Sequence, residues 1–155
     1  MVPGGPSHAV KSQPYMLWLD CRNINDPGVR PEFCSHIGEH VGILKNLLKA
    51  PGLEGLMKQV KDWSAGHTTP DAQPIEGGVT GLGYVCVSGT HRSIGVNRLL
   101  SECLKRDGHQ VRAPHHLSRG KWARKGRCYW CNSCNLQNAA KGAVFAEAYR
   151  MWSAI

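Results

Sequence analysis

The chain has 155 residues, enough for one domain with a real core, and no apolar run long enough to span a bilayer. A formal charge of +8 and a pI near 9.3 point to anionic partners, nucleic acid or phosphorylated ligands, the alternative being a surface that is basic for solubility alone. The N-terminus lacks the basic and apolar blocks of a signal peptide, so the seven cysteines are not expected to form an extracellular disulfide framework, and a soluble cytoplasmic protein is expected.

Residues 1–14 are rich in Pro, Gly and Ser and read as a disordered tail, with residues 15–155 as a single α/β domain. Tyr15–Leu19 is a continuous apolar run, the pattern of a strand buried on both faces. It ends in Asp20-Cys21-Arg22-Asn23-Ile24-Asn25-Asp26-Pro27, and polar residues at the carboxyl end of a parallel strand are where α/β sheets hold ligands. Asp20 and Arg22 share a face if the chain stays extended, either to meet a ligand or to form an ion pair with each other. Ile37, Val41, Leu44 and Leu48 recur at helical spacing until Pro51-Gly52, and Leu53, Leu56, Met57, Val60 and Trp63 form a second helical stripe. Residues 64–80 read as a long loop, and Leu82–Val87 as the next strand. Val96, Leu99, Leu100, Cys103 and Leu104 mark the core face of a helix, and Gly108 is placed to be its left-handed cap. His109–Ala113 alternates like a half-exposed strand, so strand, helix and strand imply a right-handed crossover. The fold expected is a three-layer α/β domain with a mostly parallel sheet and helices on both faces, closed by a helix over Ala139–Trp152.

The most informative stretch is Gly83–Ser93. A strand, a loop of small residues and a helix in that order make an anion cradle, because amides at a helix start are unpaired and carry partial positive charge. Arg92 can grip a phosphate, Gly89 lets the backbone approach, and Ser88, Thr90 and Ser93 offer hydroxyls beside His91. Further on, Cys128, Cys131 and Cys134 follow a C-x2-C-x2-C pattern. Such a turn can place thiolates on one zinc ion, with His115 or His116 as the fourth ligand; unliganded or redox-active thiols are the alternative. Between the two lies a basic tract containing Arg119, Lys121, Arg124 and Lys125 around Trp122, able to follow a nucleic-acid backbone and stack a base, or simply a solvated loop.

Cys86-Val87-Ser88-Gly89-Thr90-His91-Arg92-Ser93 resembles the loop of cysteine-dependent phosphatases. That resemblance implies a Cys86 thiolate as nucleophile and Arg92 as transition-state clamp. Tyr84-Val85 stands where those enzymes usually carry a histidine, and Asp20, Asp26 and Asp71 are the candidates for a general acid. A longer stretch, roughly residues 16–118, resembles the C-terminal domain of the RapZ family. The family's Gly-Gly-Gln-His-Arg-Ser loop corresponds to the Gly89–Ser93 region, and its Asp-x-Arg-x-x-x-Asn-Pro to Asp20–Pro27, with Asp26 in place of Asn. Arg30-Pro31, Gly38, Asp107–Val111 and His115-His116 follow in the family's order. The resemblance implies non-enzymatic binding of a phosphorylated small metabolite, an amino-sugar phosphate in characterised members, together with RNA binding and assembly into oligomers. By it, Cys86–Ser93 form the phosphate loop and Asp20 and Arg22 flank it. The family's P-loop domain is not represented, since nothing reads G-x-x-x-x-G-K-[ST], and no nucleotide is expected. A zinc-stabilised nucleic-acid-binding module is the remaining alternative.

Overall fold

The computed structural model describes residues 16–25, 30–67, 81–86, 91–111, 126–128, 130–135 and 139–155. Two strands, β1 (Met16–Asp20) and β2 (Gly81–Val85), pair in parallel, with Met16 opposite Gly81 and Asp20 opposite Val85. Their carboxyl ends therefore finish side by side. Trp18 lies opposite Gly83, and a Cβ there would fall 2.0 Å from the Trp18 ring, so the glycine makes room for the indole.

Among the described residues four helices accompany the sheet: α1 (Val41–Leu48), α2 (Leu53–His67), α3 (Arg92–Arg106) and α4 (Lys141–Ser153). Helix α3 packs against β2, and α1, α2 and α4 pack around α3 and one another. The core they enclose includes Leu19, Leu44, Met57, Leu100, Cys103 and Trp152, all essentially without solvent contact. The apolar stripes expected of α2 and α3 are the faces found buried, except that Trp63 at the end of the α2 stripe is only half-buried. Helix α1 starts later than its periodicity implies, because His40 caps it, its Nδ1 accepting from the Gly42 amide at 3.0 Å. Ile37 is thereby released to a second, smaller apolar cluster with Ile94 and Cys134. Among the described residues no helix is long and apolar enough to cross a membrane.

The sheet has two strands among the described residues, which fits a mixed helix/strand fold without filling out the expected three layers. The strand expected over His109–Ala113 is not formed over His109–Val111, which is irregular; Arg112 and Ala113 lie outside the described residues. The reason is local. Gly108 takes φ +96, the His109 amide returns to the Leu104 carbonyl at 3.1 Å, and this helix-closing bond consumes the first donor of the expected strand.

Asp107, beside that cap, joins α3 to α4. Its carboxylate accepts from the Tyr149 hydroxyl and the Trp152 indole N–H, both at 2.7 Å. Partial burial pushes its carboxyl up, but these two donors outweigh it and hold the group below its ordinary value. The ionised form thus contributes stability above about pH 4, and that contribution is lost as pH falls through the lower folded-state value. Asp107→Asn is expected to lower the unfolding free energy by about 1 kcal/mol at neutral pH. The deficit should shrink as pH falls below about 4 and through the lower folded-state value, where the folded Asp107 too becomes uncharged. Urea unfolding at neutral pH and over a series of acid pH values checks it.

Candidate functional site

The carboxyl ends of β1 and β2 and the start of α3 meet at one end of the sheet. Cys86 directly follows β2 and is buried, only 6% exposed. Its Sγ lies 3.2 Å from the Ser93 hydroxyl and accepts from the Ser93 amide at 3.4 Å. The thiol therefore closes the base of the loop between strand and helix. The N-cap residue His91 makes no capping bond to α3 through its side chain. At this end the helix dipole favours an anion.

Arg92 reaches across this end. Its Nη1 donates to the carbonyls of Arg22 at 2.8 Å and Ile24 at 3.1 Å, tying the segment after β1 to the helix. Its Nε is buried and has no hydrogen-bond partner among the described residues. Arg22 does not share that freedom. Its Nε and Nη2 hold both oxygens of Asp20 at 2.9 and 2.7 Å, and its amide donates to Asp20 as well. Arg22 beside it, with a smaller pull from Arg92, brings the Asp20 carboxyl down to about 2. The pair is exposed, so its worth to stability is small. Among the described residues, one carboxylate and two guanidiniums stand at this end. Ser88, Gly89 and Thr90, expected to line it, lie outside the described residues.

A second cluster lies behind the helix start. His36, Cys128, Cys131 and Cys134 bring four donor atoms within 4.8 Å of one another, so the cluster could hold a metal ion. The His36 Nδ1 is 3.2 Å from the Cys134 Sγ and 3.6 Å from the Cys131 Sγ. Donors on a tetrahedral zinc lie roughly 3.5–3.8 Å apart, given ordinary Zn–S and Zn–N bonds. The backbone builds this arrangement: the Cys128 amide donates to the Ser35 carbonyl at 2.7 Å, and the Val41 amide to the Ser133 carbonyl at 3.1 Å. The Cys134 amide points at the Cys131 Sγ at 3.4 Å. Burial pushes the Cys131 thiol up, but the amides and thiols around it win and hold it below the ordinary range; Cys134 is pushed up, chiefly by burial.

The three cysteines were legible from their spacing, whereas His36 was not. No ligand spacing links it to a cysteine 92 or more positions away; the fold brings it in, through the bridge between His36 and Cys128 and the bonds around it. His115 and His116, the sequence candidates for the fourth ligand, lie outside the described residues, as do Arg119, Lys121, Arg124 and Lys125. Of the scattered cysteines, Cys21, Cys86 and Cys103 are buried and Cys34 is exposed, its thiol directed at the Pro31 carbonyl.

Two parallel strands ending beside a helix start, with Arg92 strung across the gap, define a mixed helix/strand domain. The chain belongs to the RapZ C-terminal domain family, whose model matches residues 6–118. Neither the curated proteins nor the solved structures hold a match to it. The matched region contains β1, β2, α1 to α3 and His36, while the three cluster cysteines and α4 lie beyond it.

Proposed function

We propose that this chain is a non-enzymatic binding domain for a phosphorylated small metabolite of sugar-phosphate type, held where β1, β2 and α3 meet. Arg92 carries the reading: one of its nitrogens is anchored on two carbonyls while its buried Nε is left for a ligand oxygen. Ser88, Gly89, Thr90, His91 and Ser93 would complete the loop around the phosphate, and the Asp20–Arg22 pair would border the sugar. RNA is the second partner in this reading, met by Arg119, Lys121, Arg124 and Lys125, with a homo-oligomer as the working form. Zinc is the ion we assign to the cysteine cluster, since three thiolates and an imidazole suit it.

Arg92→Ala is expected to weaken binding of an amino-sugar phosphate by about 10- to 100-fold, the worth of a charged hydrogen bond. Titration calorimetry with inorganic phosphate and the sugar phosphate measures it, and unchanged affinity overturns the reading. The rival is a cysteine phosphatase. The burial of Cys86 and its engagement with Ser93 favour a thiol that shapes the loop. Turnover of an aryl phosphate that disappears in Cys86→Ser would establish the rival instead.

A further inference from the structure

We propose that His36 completes a zinc clasp whose task is to position the start of α3, which makes the segment beyond the family domain a working part of the anion-binding end. The inference rests on the zinc assignment above and goes beyond it.

The physical path is short. His36 is followed by Ile37 and Gly38, and both touch the first turn of α3. Ile37 packs with Ile94 and Cys134, and Cys128 and Cys131 lie against the same small cluster. Gly38 approaches so closely that a Cβ on it would stand 2.2 Å from the His91 carbonyl oxygen and 2.5 Å from the Gly95 amide nitrogen. One donor residue of the cluster thus directly precedes the backbone that seats the helix start, and another packs on Ile94. The segment bearing the thiols is held to residues 34–41 by backbone bonds from Cys128 to Ser35 and from Val41 to Ser133, by the Ile37 amide on the Cys134 thiol, and by a bond from the Arg127 guanidinium to the Cys34 carbonyl.

Without an ion, thiolates this close to one another repel, which opposes the hydrogen bonds and packing that hold the cluster. With zinc bound, four covalent-like bonds fix residues 128–134 against His36, and through Ile37 and Gly38 they fix His91 and Arg92. The cluster residues are positioning residues in this scheme and need touch no ligand. Metal binding and the geometry at Arg92 are then linked, each favouring the other.

The test compares the zinc-loaded full chain, the chain stripped by chelator under reductant, His36→Ala and His36→Cys. Metal content, the cobalt-substituted absorption spectrum and amide hydrogen exchange are measured on each. The loaded chain is expected to hold one zinc, and cobalt in its place to show thiolate charge-transfer bands with a tetrahedral pattern. Stripping and His36→Ala are each expected to speed exchange over residues 93–96 by at least about tenfold, with little change in α2, which gives no donor. His36→Cys keeps a four-ligand set and is expected to keep both zinc and protection. Absence of zinc from the loaded chain, or zinc bound as tightly by His36→Ala, overturns the assignment. Zinc bound but exchange at 93–96 unchanged on stripping overturns the clasp alone, as does exchange that rises equally in α2. A clasp that passes these tests in a chain that binds no phosphate stands, and the phosphate reading falls without it.

Discussion

Lys141→Met is expected to lower the unfolding free energy by about 3–5 kcal/mol, the usual consequence of stranding one member of a buried ion pair. The Lys141 Nζ lies 2.8 Å from the Glu39 Oε1, with the two side chains 1% and 0% exposed. Methionine fills nearly the same volume, so the loss reports on charge and not on a cavity. Burial pulls the Lys141 ammonium below its ordinary range, and Glu39 opposes that shift. The position is adverse for a cation in another way too, because Lys141 opens α4, where the helix dipole is positive. Only a strong partner would hold it there. Arg98 stands 3.9 Å from the same Glu39 oxygen and softens the loss, which places the expected value in the lower half of the range. The double variant Glu39→Gln/Lys141→Met removes the stranded carboxylate and is expected to recover about half of the lost stability. Urea midpoints at an unchanged slope measure both, and a double variant as weak as the single one would locate the loss elsewhere.

The second large effect is expected at Gly38. An alanine there must place its Cβ 2.2 Å from a carbonyl oxygen, 2.5 Å from an amide nitrogen and 2.8 Å from the Ile94 Cβ. Two of these atoms belong to the backbone at the start of α3 and cannot swing aside as a side-chain end could. Gly38→Ala is therefore expected to lose about 3 kcal/mol, at the upper end of overpacking effects, as the helix start and the segment after His36 are pushed apart. Gly55, inside α2, has nothing within 4 Å of a built Cβ. Gly55→Ala is expected to gain about 0.5–1 kcal/mol by helix propensity. The same chemical change should thus move the melting temperature in opposite directions at the two sites, and equal effects would mean that the close approach at Gly38 is not felt.

What the sequence made legible were the features that repeat or cluster along the chain. The stripe Val96, Leu99, Leu100, Cys103 and Leu104 has the period of a helix, and it is the buried face of α3. The runs that became β1 and β2 are short, apolar and bounded by polar or small residues. Gly108 takes the left-handed conformation expected of a cap. The cysteine trio has ligand spacing. What could not be read are partnerships between distant positions that leave no local trace. Glu39 and Lys141 are 102 residues apart, and nothing near either one announces the other. His36 sits in an unremarkable segment and gains its neighbours by tertiary contacts, backbone pairing to Cys128 among them. Arg92 binds the carbonyls of Arg22 and Ile24, and since every residue has a carbonyl, no pattern could single those two out. The alternation over His109–Ala113 misled for a related reason: side-chain period says nothing about a backbone amide already spent in closing a helix.

The separation of the four donors in sequence also sets an order of events during synthesis. His36 and Cys134 are 98 residues apart. At ordinary elongation rates of about 5–20 residues per second, about 5–20 s pass between their appearance. In that interval α1, α2 and α3 have all been made, and their cores can form within milliseconds to seconds of emerging. In the clasp proposed above, the front of α3 waits on residues 128–134, and the core waits longer still for α4. A nascent chain stalled before residue 134 would lack both the last thiol and the Val144, Phe145, Ala148 and Trp152 side chains that complete the core.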